Sequence, residues 1–123
     1  MKYLCLLYDN EQAWAEMPKE ETDAIMADYF AFTDAYRESG HVLGGEALEP
    51  ISTATTIRVR NGKISTTDGP FAETREQLGG YYLLEAKDLN EAIQIAAKIP
   101  AARTGSVEVR PIMDVMSMQQ PEG

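Results

Sequence analysis

A strand–helix–strand pattern that occurs twice, with an Asn-Gly hairpin between the two occurrences, predicts an α+β fold. It is the ferredoxin-like, split β-α-β arrangement with an inserted β-hairpin. Two observations fix the strands and the helices. Residues 2 to 8 and 79 to 86 are apolar at nearly every position, as in strands buried on both faces. The stretches after Pro18 and after Asp88 place apolar residues at helical spacing.

Taken in order, Lys2 to Tyr8 is the first strand, and Asp9 to Met17 reads as a loop in which Trp14 plugs a core edge or interface. Pro18 opens a long helix, with Glu20 and Glu21 at the positive end of its dipole. Ile25, Tyr29, Phe32 and Tyr36 form its buried stripe, widened by Met26, Phe30 and Thr33. Gly40 ends it in a left-handed cap. His41 to Leu48 is the second strand. Its Gly44-Gly45 pair implies a bulge, or close approach by a backbone or ligand. After a turn at Glu49–Ser52, Thr55–Arg60 and Lys63–Thr67 flank the Asn61-Gly62 turn. Ile57 and Val59 face one way there, Arg58 and Arg60 the other.

Glu73 to Leu78 reads as a short helical turn, and Gly79 to Ala86 as a strand. Asp88 to Glu91 has capping-box character, and the helix that follows runs through Ala92, Ile93, Ala96 and Ala97 until Pro100 closes it. Ser106 to Met113 is the last strand, with Val107 and Val109 opposite Glu108 and Arg110. Residues 1–116 make one domain, and 117–123 a polar, frayed tail. Both helices should cover one face of the sheet. Nothing in one chain covers the other, so a two-fold homodimer with facing sheets is expected.

The chain has 123 residues and a formal charge of −9. That balance argues against nucleic acid and against an anionic membrane surface. Cys5 is the one cysteine, so no internal disulfide forms, and it reads as a small buried hydrophobe. No Cys/His spacing supports a metal, and no cofactor is expected. The apolar start is too short for a signal peptide, and no apolar run could span a bilayer, so a cytoplasmic protein is expected.

One stretch concentrates charge, glycine, proline and aromatics: Thr67-Asp68-Gly69-Pro70-Phe71-Ala72-Glu73-Thr74, continuing to Glu76-Gln77-Leu78-Gly79-Gly80-Tyr81. With Gly44-Gly45-Glu46-Ala47-Leu48 and Ile99-Pro100-Ala101-Ala102-Arg103, it resembles the DGPF-type proteins of the YCII-related family, over nearly the whole chain. The resemblance implies a dimeric α/β barrel. It also implies a pocket in which related proteins use a His–Asp pair, and a setting beside alternative sigma factors.

Asp68, held at a strand end by Gly69 and Pro70, is the first candidate acid or base, or else it caps its own turn. His41, the sole histidine, would assist it if the two lie close, or is an exposed cation after a helix end. Glu46 follows the glycine pair and reads a ligand or pairs with an arginine. Glu73 would add an acid and Arg75 an anion-binding base, or the two form a solvated pair. Tyr81 and Tyr82 face opposite ways, and the interior one offers a hydroxyl. Phe71 anchors its loop in a core or stacks on a ligand. Arg103 clamps an anion or bonds the end of the second helix.

Two functions fit. One is a small-molecule enzyme running a cofactor-independent lyase or isomerase step, with Asp68 as acid or base, His41 assisting, and Tyr81 or Arg103 positioning the substrate. The other is a non-catalytic ligand-binding or regulatory dimer, in which Asp68–Phe71 is a structural clip.

Overall fold

The computed structural model describes residues 1–119. Its strands are β1 (Lys2–Asp9), β2 (Val42–Ala47), β3 (Thr55–Arg60), β4 (Lys63–Asp68), β5 (Gln77–Glu85) and β6 (Ser106–Pro111). Its helices are α1 (Glu11–Glu16), α2 (Lys19–Glu38), α3 (Leu89–Ala96) and α4 (Ala101–Thr104). Four strands form one antiparallel sheet in the order β2-β5-β1-β6, and β3 and β4 form a separate two-stranded sheet. This is the split β-α-β order with the hairpin set apart.

Alternation along β1 sends Tyr3, Cys5 and Leu7 to the helix-covered face, where all three are buried. They meet Leu84 and Ala86 after β5's alternation, Phe32 of α2, and Ala92, Ile95 and Ala96 of α3. Each such large apolar side chain contributes roughly 1.5–3 kcal/mol by leaving water. Phe32 packs against Tyr36 and Tyr82 with ring centroids 4.9 and 5.2 Å apart. On the other face Leu4, Leu6, Tyr81 and Leu83 remain half-buried. One chain therefore presents an open sheet, and no closed barrel forms among the described residues.

Several elements differ from expectation. Asp9 to Met17 is not all loop, because the Asn10 side chain accepts the Ala13 N–H at 3.0 Å and nucleates α1. Glu73 to Leu78 makes no helical turn. There the Thr74 hydroxyl bonds the Glu76 carbonyl, the Gln77 side chain bonds the Thr74 carbonyl, and Gln77 already belongs to β5. Pro100 stands at the start of α4, where its missing N–H costs nothing. The last strand stops at Pro111, two residues early. Phe71 finds no core: it is 78% exposed and lies near Arg58, 5.7 Å from ring centroid to guanidinium carbon. Of the expected tail, Ser117 to Gln119 belong to a 3₁₀ turn, and the rest lies outside the described residues.

The glycine pair does both things it could do. The β2–β5 register slips between Val42 and Gly44. A Cβ on Gly45 would sit 2.7 Å from the Tyr81 carbonyl oxygen, and one on Gly80 2.8 Å from that of Glu46. Side chains at these two positions would push the strands apart.

Candidate functional site

Those two glycines also leave a hollow. Between α1, α2 and the β2–β5 half of the sheet lies a cavity of about 710 Å³. Gly45, Ala47 and Gly80 form its floor, since none has a bulky side chain. Tyr29, Phe30 and Thr33 of α2 line one wall, Trp14 and Ala15 of α1 another. The result is a largely apolar, aromatic-walled space with a few polar groups, the common form of a small-molecule site.

α1 is held in place to make that wall. The Glu11 N–H donates to the Gln77 side chain at 2.9 Å, and the Ile51 N–H donates to the Glu11 carboxylate at 2.9 Å. The Thr33 and Tyr82 hydroxyls are 2.7 Å apart, which ties α2 to β5 at the cavity.

Asp9, the last residue of β1, reaches the cavity. Burial pushes its carboxyl above the ordinary value, the Thr104 hydroxyl at 3.0 Å opposes that by favouring the anion, and the Glu76 charge raises it further. Glu76 itself accepts from the Ser106 hydroxyl at 2.8 Å. The approach of Gly105 makes room: a Cβ there would lie 2.0 Å from the Tyr8 carbonyl oxygen and 2.9 Å from the Asp9 carboxylate. Tyr29 stands close enough to feel Asp9. Burial first, then the charges of Asp9 and Tyr82, push its hydroxyl up to about 12, so it stays protonated at neutral pH. A carboxyl with a raised pKa beside a neutral phenol can move a proton and donate a hydrogen bond in one place.

The residues expected from sequence fall elsewhere, with two exceptions. Glu46 and Tyr81 belong to the strand segments that line the cavity. Opposed in register, they lie on the sheet face away from the helices, whereas Tyr82 faces them. Asp68 is exposed at the end of β4. His41 lies at the far end of α2, 2.7 Å from the Ser39 hydroxyl and 3.4 Å from Glu91. No hydrogen bond or ion pair joins Asp68 to His41 among the described residues. Phe71 and Glu73 are exposed on the loop, outside the cavity lining. Arg103 pairs with Asp28 at 2.9 Å on the surface, which fits neither a ligand clamp nor a helix-end bond. Glu108 and Arg110 pair at 3.7 Å on the edge strand β6.

Sequence reasoning missed Asp9, Thr104 and the role of Trp14. The signal for Asp9 was present: it is an acid ending a strand apolar at nearly every position. No group of three or more His, Cys, Asp or Glu side chains among the described residues is arranged to hold a metal ion. No helix among them is long and apolar enough to cross a membrane.

Comparison with known proteins adds three findings. A model of the YCII-related domain matches residues 1–116. An uncharacterized protein of Rhizobium meliloti (strain 1021) is 40% identical over 114 residues, covering 91% of this chain and 92% of the relative. The structure of 5-chloro-2-hydroxyhydroquinone dehydrochlorinase from Burkholderia phenoliruptrix AC1100, in complex with 2,5-dihydroxybenzoquinone, is similar with a TM-score of 0.50 at 13% identity. That match covers 92% of this chain and 94% of the other, and at such identity the likeness is one of fold.

Proposed function

This chain belongs to the YCII-related family, and on that premise we propose that it forms a homodimer in which each protomer holds a small-molecule pocket suited to acid–base chemistry. The observation that carries the reading is Asp9 at the wall of an aromatic-lined cavity, with its carboxyl raised and Tyr29 beside it. In its ionised form Asp9 takes a proton from a carbon beside an electron-withdrawing group. The neutral Tyr29 hydroxyl donates to the oxygen that gains charge. This lyase- or isomerase-type step needs no cofactor.

The similarity to a dehydrochlorinase supports the same chemistry, because losing HCl requires a base to take a proton. The half-buried Leu4, Leu6, Tyr81 and Leu83 support pairing through the open sheet face, which would complete a barrel between two copies. Asp68 and His41 join this chemistry only where a facing copy brings them to the pocket. The acid surplus and single cysteine support a cytoplasmic setting.

The test is a screen of small phenols, quinones and carboxylic acids, beginning with 2,5-dihydroxybenzoquinone, for binding and turnover. Trp14→Ala is expected to weaken binding. Asp9→Asn is expected to keep binding and lower turnover by roughly 10²–10⁴-fold. Equal turnover in Asp9→Asn would remove the assigned base. Binding without turnover by the native chain would make this a binding dimer instead.

A further inference from the structure

The β3–β4 hairpin has two faces and forms a sheet of its own. Register places Ile57, Val59 and Ile64 on one face, and Arg58, Arg60 and Lys63 on the other. The three apolar side chains are 63%, 55% and 74% exposed. A lone two-stranded hairpin is marginal in water, so such a face needs a partner surface. Among the described residues its two strands pair only with each other.

Charge points to what covers it. Thr55 to Asp68 carries three bases and one acid, a net +2, so the rest of the chain holds −11. None of Arg58, Arg60 and Lys63 makes an ion pair among the described residues. A complementary surface stands on the same molecule. Met26 and Phe30 of α2 line the cavity on their inner side yet are 40% and 64% exposed, and Asp34 and Asp23 share that side of the helix by spacing, Asp23 pairing with Lys19 at 2.7 Å.

We infer that the β3–β4 hairpin of one copy lies across α2 of a second copy, with Ile57, Val59 and Ile64 on the partner's Met26 and the partner's Phe30, so that each arm closes the other copy's cavity. The bases reach round the thin ribbon on long side chains to the acids beside the patch. This inference rests on the homodimer reading, and it adds that the pocket is incomplete in a single chain.

The test is a mixed cross-link. Ile57→Cys and Phe30→Cys are made separately in the full chain, mixed and oxidised mildly. Cys5, fully buried, stays silent. The expected product is a bridge between position 57 of one copy and position 30 of another, identified by mass spectrometry, which forms more slowly as salt rises. A bridge between two copies of position 57 would mean arm against arm and overturn the assignment. No bridge in a protein that light scattering shows to be dimeric would overturn the arm contact and leave the dimer standing. A monomer would remove both. Ile57→Lys with Ile64→Lys gives an independent reading. Ligand affinity should fall about tenfold or more with the fold intact by circular dichroism, and unchanged affinity would contradict the closure.

Discussion

Two aspartates end strands in this molecule, and they have opposite surroundings. Asp68 ends β4 in an exposed hairpin and its side chain makes no hydrogen bond among the described residues. Asp9 ends β1 in the main sheet, where Thr104 bonds it, Glu76 presses on it electrostatically, and a cavity adjoins it. Local sequence made Asp68 conspicuous, because Gly69 and Pro70 follow it. Topology made Asp9 important, because β6, α4 and the loop before β5 converge on the end of β1. A site is built by what packs around a residue, and that packing comes from segments distant in sequence.

The largest effect that would break the comparison is on catalysis. Asp9→Asn should lower turnover by roughly 10²–10⁴-fold, while Asp68→Asn changes it less than tenfold, measured on whichever phenol or acid the screen selects. The reverse order would return the chemistry to the hairpin. Next is the core beneath Asp9's strand. Leu84→Ala, at a fully buried site, should cost about 2–5 kcal/mol in urea unfolding, whereas Ile57→Ala in the arm should cost less than about 0.5 kcal/mol in the isolated chain. Gly80→Ala tests the cavity floor. Its new Cβ would press on the Glu46 carbonyl, so a loss of roughly 1–3 kcal/mol is expected, together with weaker ligand binding.

Much of the fold was legible. The doubled strand–helix–strand order, the Asn61-Gly62 turn (φ 54° and 75°), the Asp88 cap and the Gly40 stop all stand as read. They were legible because each rests on local chemistry: a positive φ, a side chain bonding a free N–H, or an apolar period. α1 was hidden because Asn10 alone signals it, in six residues with no apolar stripe. The central stretch does reach the cavity, but through Gln77, Gly79 and Gly80 rather than through Asp68 and Phe71. No pattern along the chain reveals that Thr104 lies beside Asp9, 95 residues apart. Such a pairing follows only once β6 is laid antiparallel against β1.

The smallest effect is in pH dependence, and its sign is definite. Asp9 keeps its proton to a higher pH when folded than the ordinary value of 3.8. Its contribution to stability is fully present below the unfolded value and is lost as pH rises through the folded value. Asp9→Asn should therefore flatten that acid-range slope and leave the chain at least as stable as native at neutral pH, read by urea unfolding across a pH series. Asp68→Asn should leave the slope as it is.

One measurement tests the placement of the site most directly. Amide shifts are mapped by NMR while a small phenol selected by the screen is titrated into the native chain. The largest shifts are expected at Asp9, Trp14, Thr33, Gly45 and Gly80. Shifts confined to Asp68 through Arg75, with the cavity residues silent, would contradict the assignment and place the site on the hairpin loop.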